Sequence, residues 1–176
     1  MLSFARAAAL ALAVLLAAGC STVKVADYAG QTPRFDLREY FNGQIVAHGI
    51  VQDRFGRVIR RMVVEMTGTW AGETGTLDEN FSYSDGRKER RVWTITRRGD
   101  RYVGTASDVV GEAAGEAAGN ALNWKYVLAL PVDGTTYHVD FDDWMWQIDD
   151  RVLINRAVFS KFGIRLGEVL ITFRKP

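Results

Sequence analysis

From Tyr40 to Arg174 the chain is a series of short extended segments in which apolar and polar residues alternate, each cut off by turn-forming residues. Alternation with a period of two sends successive side chains to opposite faces of a strand, so each segment can bury one face and wet the other. The cleanest example spans residues 75–83, with Leu77, Phe81 and Tyr83 on one face and Thr76, Asp78, Asn80 and Ser82 on the other. Ser84-Asp85-Gly86 then supplies a hairpin turn, because glycine accepts a positive φ at little steric cost. The same grammar predicts strands over residues 44–52, 57–69, 87–97, 102–107, 122–130, 135–146, 152–159 and 166–174. Leu122, Trp124, Tyr126, Leu128 and Leu130 make the longest apolar face among them.

Consecutive strands joined by tight turns describe an antiparallel meander. About eight to ten such strands are enough to close a barrel, which removes the exposed edges of an open sheet. The expected fold is therefore all-β, an up-and-down barrel of lipocalin-like or fatty-acid-binding-protein-like form. A two-sheet sandwich has compatible strand spacing and stands as the alternative.

Residues 111–119 interrupt the pattern with glycine at every fourth position, Gly111, Gly115 and Gly119, separated by Ala and Glu. As a helix the segment would carry three glycines at a cost of about 1 kcal/mol each relative to alanine. As a strand it presents one small face of glycines with Ala113 and Ala117, across which a large side chain can lie. The strand, with or without a bulge, is the favoured reading.

The amino-terminal residues follow a different rule. One positive side chain, Arg6, precedes an apolar run of Ala, Leu and Val that ends Leu16-Ala17-Ala18-Gly19-Cys20, and Cys20 is the single cysteine of the chain. A short charged start, an apolar stretch and small residues before a cysteine form a bacterial lipoprotein signal. The expected order is a signal peptide over residues 1–19, a lipidated Cys20, a tether over 20–38, in which Tyr28, Phe35 and Leu37 offer apolar surface to pack on the domain, and a barrel domain over 39–176. Ser21 rather than an acidic residue after the cysteine fits an outer-membrane destination, lipid-anchored and facing the periplasm. Loss of residues 1–19 takes the formal charge from +1 to zero. A neutral chain lacks the basic footprint of a nucleic-acid partner and of a polybasic membrane anchor. With no second cysteine, no intrachain disulfide is available, so stability must come from an apolar core.

Catalytic patterns are weak. His138, Asp140 and Asp142 share one strand face, but residues two apart on a strand are separated by ~7 Å, too far for three to hold one ion without a bulge. His48 and His138 fall on separate strands with no serine motif nearby, and Cys20 is committed to lipid. The acidic cluster of Asp142, Asp143, Asp149 and Asp150 offers paired carboxylates for hydrolase chemistry, with turn formation as the simpler role. No catalytic residue, metal or cofactor is expected.

More informative are polar residues set among apolar ones. Glu79 shares its face with Leu77 and Phe81. Arg156 lies with Val152, Ile154 and Val158, and Asn155 with Leu153 and Phe159 on the opposite face. Two apolar faces suggest a strand buried on both sides, and a buried charge needs a partner. Glu79 and Arg156 are expected either to pair internally or to anchor the head group of a ligand in a barrel lined by Trp124, Tyr126 and Leu128, with Arg156 holding an anion.

Tyr40-Phe41-Asn42-Gly43, Gly119-Asn120-Ala121-Leu122-Asn123-Trp124, Phe141-Asp142-Asp143-Trp144-Met145, Asn155-Arg156 and Ser160-Lys161-Phe162-Gly163 together resemble an uncharacterised bacterial family, a domain of unknown function found largely in lipoproteins. The resemblance covers Tyr40 to Arg174, implies a lipocalin-like barrel and points weakly to lipid, without implying any catalytic residue. The function expected is that of a membrane-anchored, non-enzymatic envelope lipoprotein binding a small apolar or acyl-chain-like ligand. An envelope scaffold with a solid barrel is the second reading, and a hydrolase using the cluster around Asp142 the third.

Overall fold

Ten strands run up and down in chain order, and the last pairs with the first to close the ring. They are β1 (Gly43–Asp53), β2 (Val58–Ala71), β3 (Thr74–Tyr83), β4 (Lys88–Arg98), β5 (Arg101–Thr105), β6 (Ala113–Ala118), β7 (Ala121–Val132), β8 (Thr135–Gln147), β9 (Val152–Lys161) and β10 (Ile164–Arg174). This is a computed structural model, and it describes residues 22–176. Residues 1–19, where a signal peptide is expected, and Cys20 lie outside the described residues. The closed ring decides for the barrel over the sandwich, because β1 has β2 on one side and β10 on the other.

Turn chemistry sets the register at the hairpins. Asp133-Gly134 and Phe162-Gly163 both have positive φ at the two central positions, 48° and 79° in one and 52° and 76° in the other. That is the type I′ requirement, whose twist matches the flanking strands. Asp133 is a common occupant of such a position; Phe162 is not.

One end of the barrel is plugged by its own approach segment. Asp36 caps a one-turn helix, α1 (Leu37–Tyr40), by accepting from the Arg38 amide at 2.9 Å and the Glu39 amide at 3.3 Å. Phe35, Leu37, Tyr40 and Phe41 are driven into the lumen as a buried cluster against Phe173 and Ile45. The Tyr40 hydroxyl donates to the carbonyls of Arg151 (3.0 Å) and Phe173 (3.2 Å), and the Trp70 indole donates to the Phe41 carbonyl at 3.1 Å. From Val25 onward the segment is packed on the barrel, with Val25, Phe35 and Leu37 buried and the Phe35 amide bonded to the Gly119 carbonyl at 2.8 Å.

The middle of the glycine repeat, Ala113–Ala118, is strand, as its small face suggests, with Gly111 and Gly119 at positive φ outside it. Ala113, Gly115 and Ala117 point inward from β6, and the Trp124 ring lies across Gly115 and Gly104. A Cβ at Gly115 would stand 2.3 Å from that ring, so the missing side chains make the seat for the tryptophan. β5 and β6 are short, and they leave β4 and β7 unbridged toward the other end of the barrel. The intervening segment, residues 106–112, runs along β7 there, with the Val110 amide donating to the Val127 carbonyl and the Ala129 amide to the Asp108 carbonyl.

Candidate functional site

Inward side chains behave differently in the two halves of the barrel. Toward the plug, Ile45, Ala47, Val64, Trp93, Ile95, Leu122, Leu153 and Phe173 are buried. Toward the opposite mouth, Tyr83, Tyr126, Phe141, Phe159, Val169 and Ile171 lie on inward positions yet stay partly accessible. The barrel is solid at one end and a cup at the other.

An aromatic ladder forms the wall of the cup, because its members lie on neighbouring strands at matched register. Tyr126 stands opposite Phe141 and Phe141 opposite Phe159. The rings stack at 4.9 Å and 5.5 Å between centroids, and Trp93 meets Tyr126 edge-on at 5.5 Å. A space of about 820 Å³ lies mainly against outward residues of the wall, among them His48, Val63, Ile154 and Thr172, and also touches Met62, Tyr83, Asn155 and Ile171.

Beneath the ladder lies a polar group of residues from five elements. Glu79 on β3, Asp143 on β8 and Asn155 on β9 are buried, and the Asn155 amide donates to Asp143. Arg91 on β4 reaches them from the side. Its guanidinium lies 3.8 Å from Glu79 and is held bidentately by Asp108, at 2.7 and 2.9 Å. Three carboxylates thus face one cation. Burial pushes the Glu79 carboxyl up to about 7 despite Arg91, and it pushes Asp143 up to about 7 despite the hydrogen bond from Asn155. Burial opposes the charge on Arg91, but the Asp108 hydrogen bonds and the nearby Glu79 outweigh it, so the guanidinium stays charged. The site can accept hydrogen bonds or positive charge from a ligand. It offers no free cation, among the described residues, to hold an anion.

The structure separates the residues picked from sequence. Glu79, Asn155, Trp124 and Tyr126 all point into the lumen, although Trp124 is buried in the solid half rather than lining the cup. Arg156 does not join them. It points outward from β9, about half exposed, and pairs with Glu168 at 2.7 Å, so it neither partners Glu79 nor anchors an anionic head group inside. Arg91 takes the place expected for it. The acidic cluster is also divided by the wall: Asp143 points inward, while Asp142 points outward and accepts from the Asn123 amide at 2.6 Å. Asp149 accepts from the Arg151 and Val152 amides, both at 2.8 Å, in a turn. His138 and Asp140 share the exposed outer face with Asp142. Arg91, Asp108, Phe141 and Phe159 escaped the sequence reading. Arg91 was findable, since it alternates in step with the inward Trp93 and Ile95.

The family model described as "Protein of unknown function (DUF3833)" matches residues 14–175. No curated protein matches the chain. Among solved structures, a protein of unknown function from the DUF3598 family of Nostoc punctiforme is similar over 83% of this chain, with a TM-score of 0.57 and 11% identity. The match covers 51% of that protein, so this chain spans about half its length. A de novo designed fluorescence-activating β-barrel aligns with 81% of this chain and 99% of its own, at 16% identity and a TM-score of 0.43.

Proposed function

The chain belongs to the DUF3833 family, and we propose that it is a lipid-anchored envelope protein that holds a small amphipathic ligand in the open half of its barrel, in the manner of a lipocalin. The apolar part of the ligand lies against Tyr126, Phe141 and Phe159, and a hydrogen-bond-donating or cationic tip points to Glu79 and Asp143. Cys20 carries the anchor, and the outer membrane, periplasmic side, is the location that fits Ser21. One observation carries the ligand reading: Tyr126, Phe141 and Phe159 stack on inward positions toward the mouth and yet stay partly accessible. A solid scaffold barrel would bury these rings.

Three probes of equal chain length test it: dodecylamine, dodecanol and dodecanoate, titrated at pH 8 while tryptophan emission is recorded. Trp93, edge-on to Tyr126, is the reporter. The amine is expected to bind most tightly and the carboxylate most weakly, because the floor is acidic. No binding by any probe overturns the cup, whereas preference for the carboxylate overturns only the assignment of the floor. For the anchor, Cys20→Ser should abolish palmitate labelling and leave the protein in the aqueous phase of a detergent partition. Continued labelling would refute lipidation.

A further inference from the structure

The outside of the barrel is two different surfaces. Outward positions on β3 and β4 carry Thr76, Asp78, Asn80, Arg90 and Thr94, with Val92 among them. The strands from β8 round to β2 carry outward polar residues too, but one row across them is mostly apolar. Trp146 stands opposite Ile154, Ile154 opposite Thr172, Thr172 opposite His48, and His48 opposite Val63, one outward row across five neighbouring strands. Ile154 and Val63 are 41% and 39% exposed. This is why β9 reads as apolar on both faces: the inner face meets the core, and the outer face exposes Ile154 beside the Arg156–Glu168 pair.

On the same side, the β9–β10 and β1–β2 hairpins end in Phe162 and Phe55, 88% and 71% exposed. Each ring has a cation beside it. Lys161 Nζ lies 4.8 Å from the Phe162 centroid, and the Arg54 guanidinium lies 4.7 Å from that of Phe55. An aromatic ring next to a basic group suits the headgroup layer, where the ring enters the interface and the cation meets phosphate.

We infer that this side, from Trp144 and Trp146 to the Phe162 and Phe55 tips, rests on the surface of the membrane that carries the lipid anchor. The inference depends on the lipid-anchor reading above. What selects a lipid surface is the position of the proposed anchor, Cys20. Thr22, the first described residue, is two positions after Cys20, a span of ~7 Å at full extension. From Thr22 the chain leads within six residues to Tyr28, whose ring lies 5.8 Å from Trp144 and 6.4 Å from Trp146. So short a link cannot lift the barrel clear of the bilayer, and the nearest outward surface is the tryptophan pair. Tryptophan and tyrosine are the side chains favoured at that depth. The barrel then lies on its side, with its mouth opening along the membrane surface rather than away from it.

The lipidated full-length protein, reconstituted in phosphatidylethanolamine–phosphatidylglycerol vesicles containing a headgroup-nitroxide lipid, tests the inference through tryptophan quenching. Trp70, Trp93 and Trp124 sit within the barrel, so Trp144 and Trp146 should carry most of the quenching. The variant Trp144→Phe/Trp146→Phe should lose more than half of it while floating with the vesicles as before. Ile154→Lys, at an exposed position, should also reduce quenching without releasing the protein. Flotation with no more quenching than the double variant shows would overturn the inference and leave the anchor intact. Failure to float would remove both. A detergent-stable dimer shielding the two tryptophans from quencher would assign the face to a second copy and likewise refute it.

Discussion

Arg91 grips Asp108 through Nε and Nη2, at 2.9 and 2.7 Å, and so ties β4 to the 106–112 segment just where β5 and β6 have already ended. On its other side the segment is bonded to β7 by backbone. Toward the mouth, the seam between β4 and that segment is therefore fastened by a side-chain ion pair.

Arg91→Ala should loosen this seam and leave three carboxylates without their cation. At pH 8 the expected loss is roughly 2–3 kcal/mol, the scale of charged hydrogen bonds, read from the urea midpoint. Limited proteolysis should cut first within residues 106–112. Unchanged stability together with unchanged protease resistance would show that the pair does not hold the seam.

Acid should stabilise the barrel relative to mild base. Glu79 and Asp143 are pushed up to about 7 in the folded protein, against ordinary values near 4 in the unfolded chain. The folded state therefore binds more protons between these limits. The stability these groups contribute is present below about pH 4 and is lost as pH rises through about 7. Melting temperature should be higher at pH 5 than at pH 8. Glu79→Gln and Asp143→Asn should each flatten that slope and stabilise the protein at pH 8, by on the order of 1–3 kcal/mol. A slope undiminished in both variants would show that these two carboxyls do not carry it.

Gly115→Val should destabilise by about 1–3 kcal/mol through overpacking against Trp124. Pairing it with Trp124→Leu should recover part of the loss, since the clash and the ring are then removed together. Strictly additive losses in a thermal-melt cycle would mean that the glycine serves something other than seating the tryptophan.

Arg156→Gln should change stability by less than ~1 kcal/mol, as expected of an exposed pair. It should also leave binding of every dodecyl probe unaffected. A selective loss of dodecanoate binding would restore the anchoring role that the sequence suggested and the structure denies.

Strand count, order and the small face of residues 111–119 were all legible, because period two and turn glycines are local signals. The direction of Arg156 was not. β9 is apolar on both faces, so parity alone could not say which faced inward; the answer came from its cross-strand neighbours, with Asn155 and Ala157 set inside and Ile154 and Arg156 outside. Glu79 was correctly read as buried, but Arg156 was the wrong partner: Arg91 stands directly opposite Glu79 across the β3–β4 hairpin, while Arg156 faces outward from β9 and pairs with Glu168. Arg91 sat in plain alternation with Trp93 and Ile95. Asp108 lies in a loop, where no periodicity reports direction. The plug was half visible in Phe35 and Leu37, but a single helical turn leaves too short a pattern to place.

Tyr40 closes the plugged end by donating to Phe173, a residue of the final strand, and β10 is also the strand that completes the ring. Synthesis proceeds from the other end. The ribosome therefore delivers the stopper first and its fastening last, 133 positions later. Until β10 is available the half-made sheet has two open edges and an aromatic cluster with nowhere to seat, a state prone to sticking to its neighbours. Removal of β10 alone should leave no smaller barrel behind: the molecule is committed to closing all at once, from its tail.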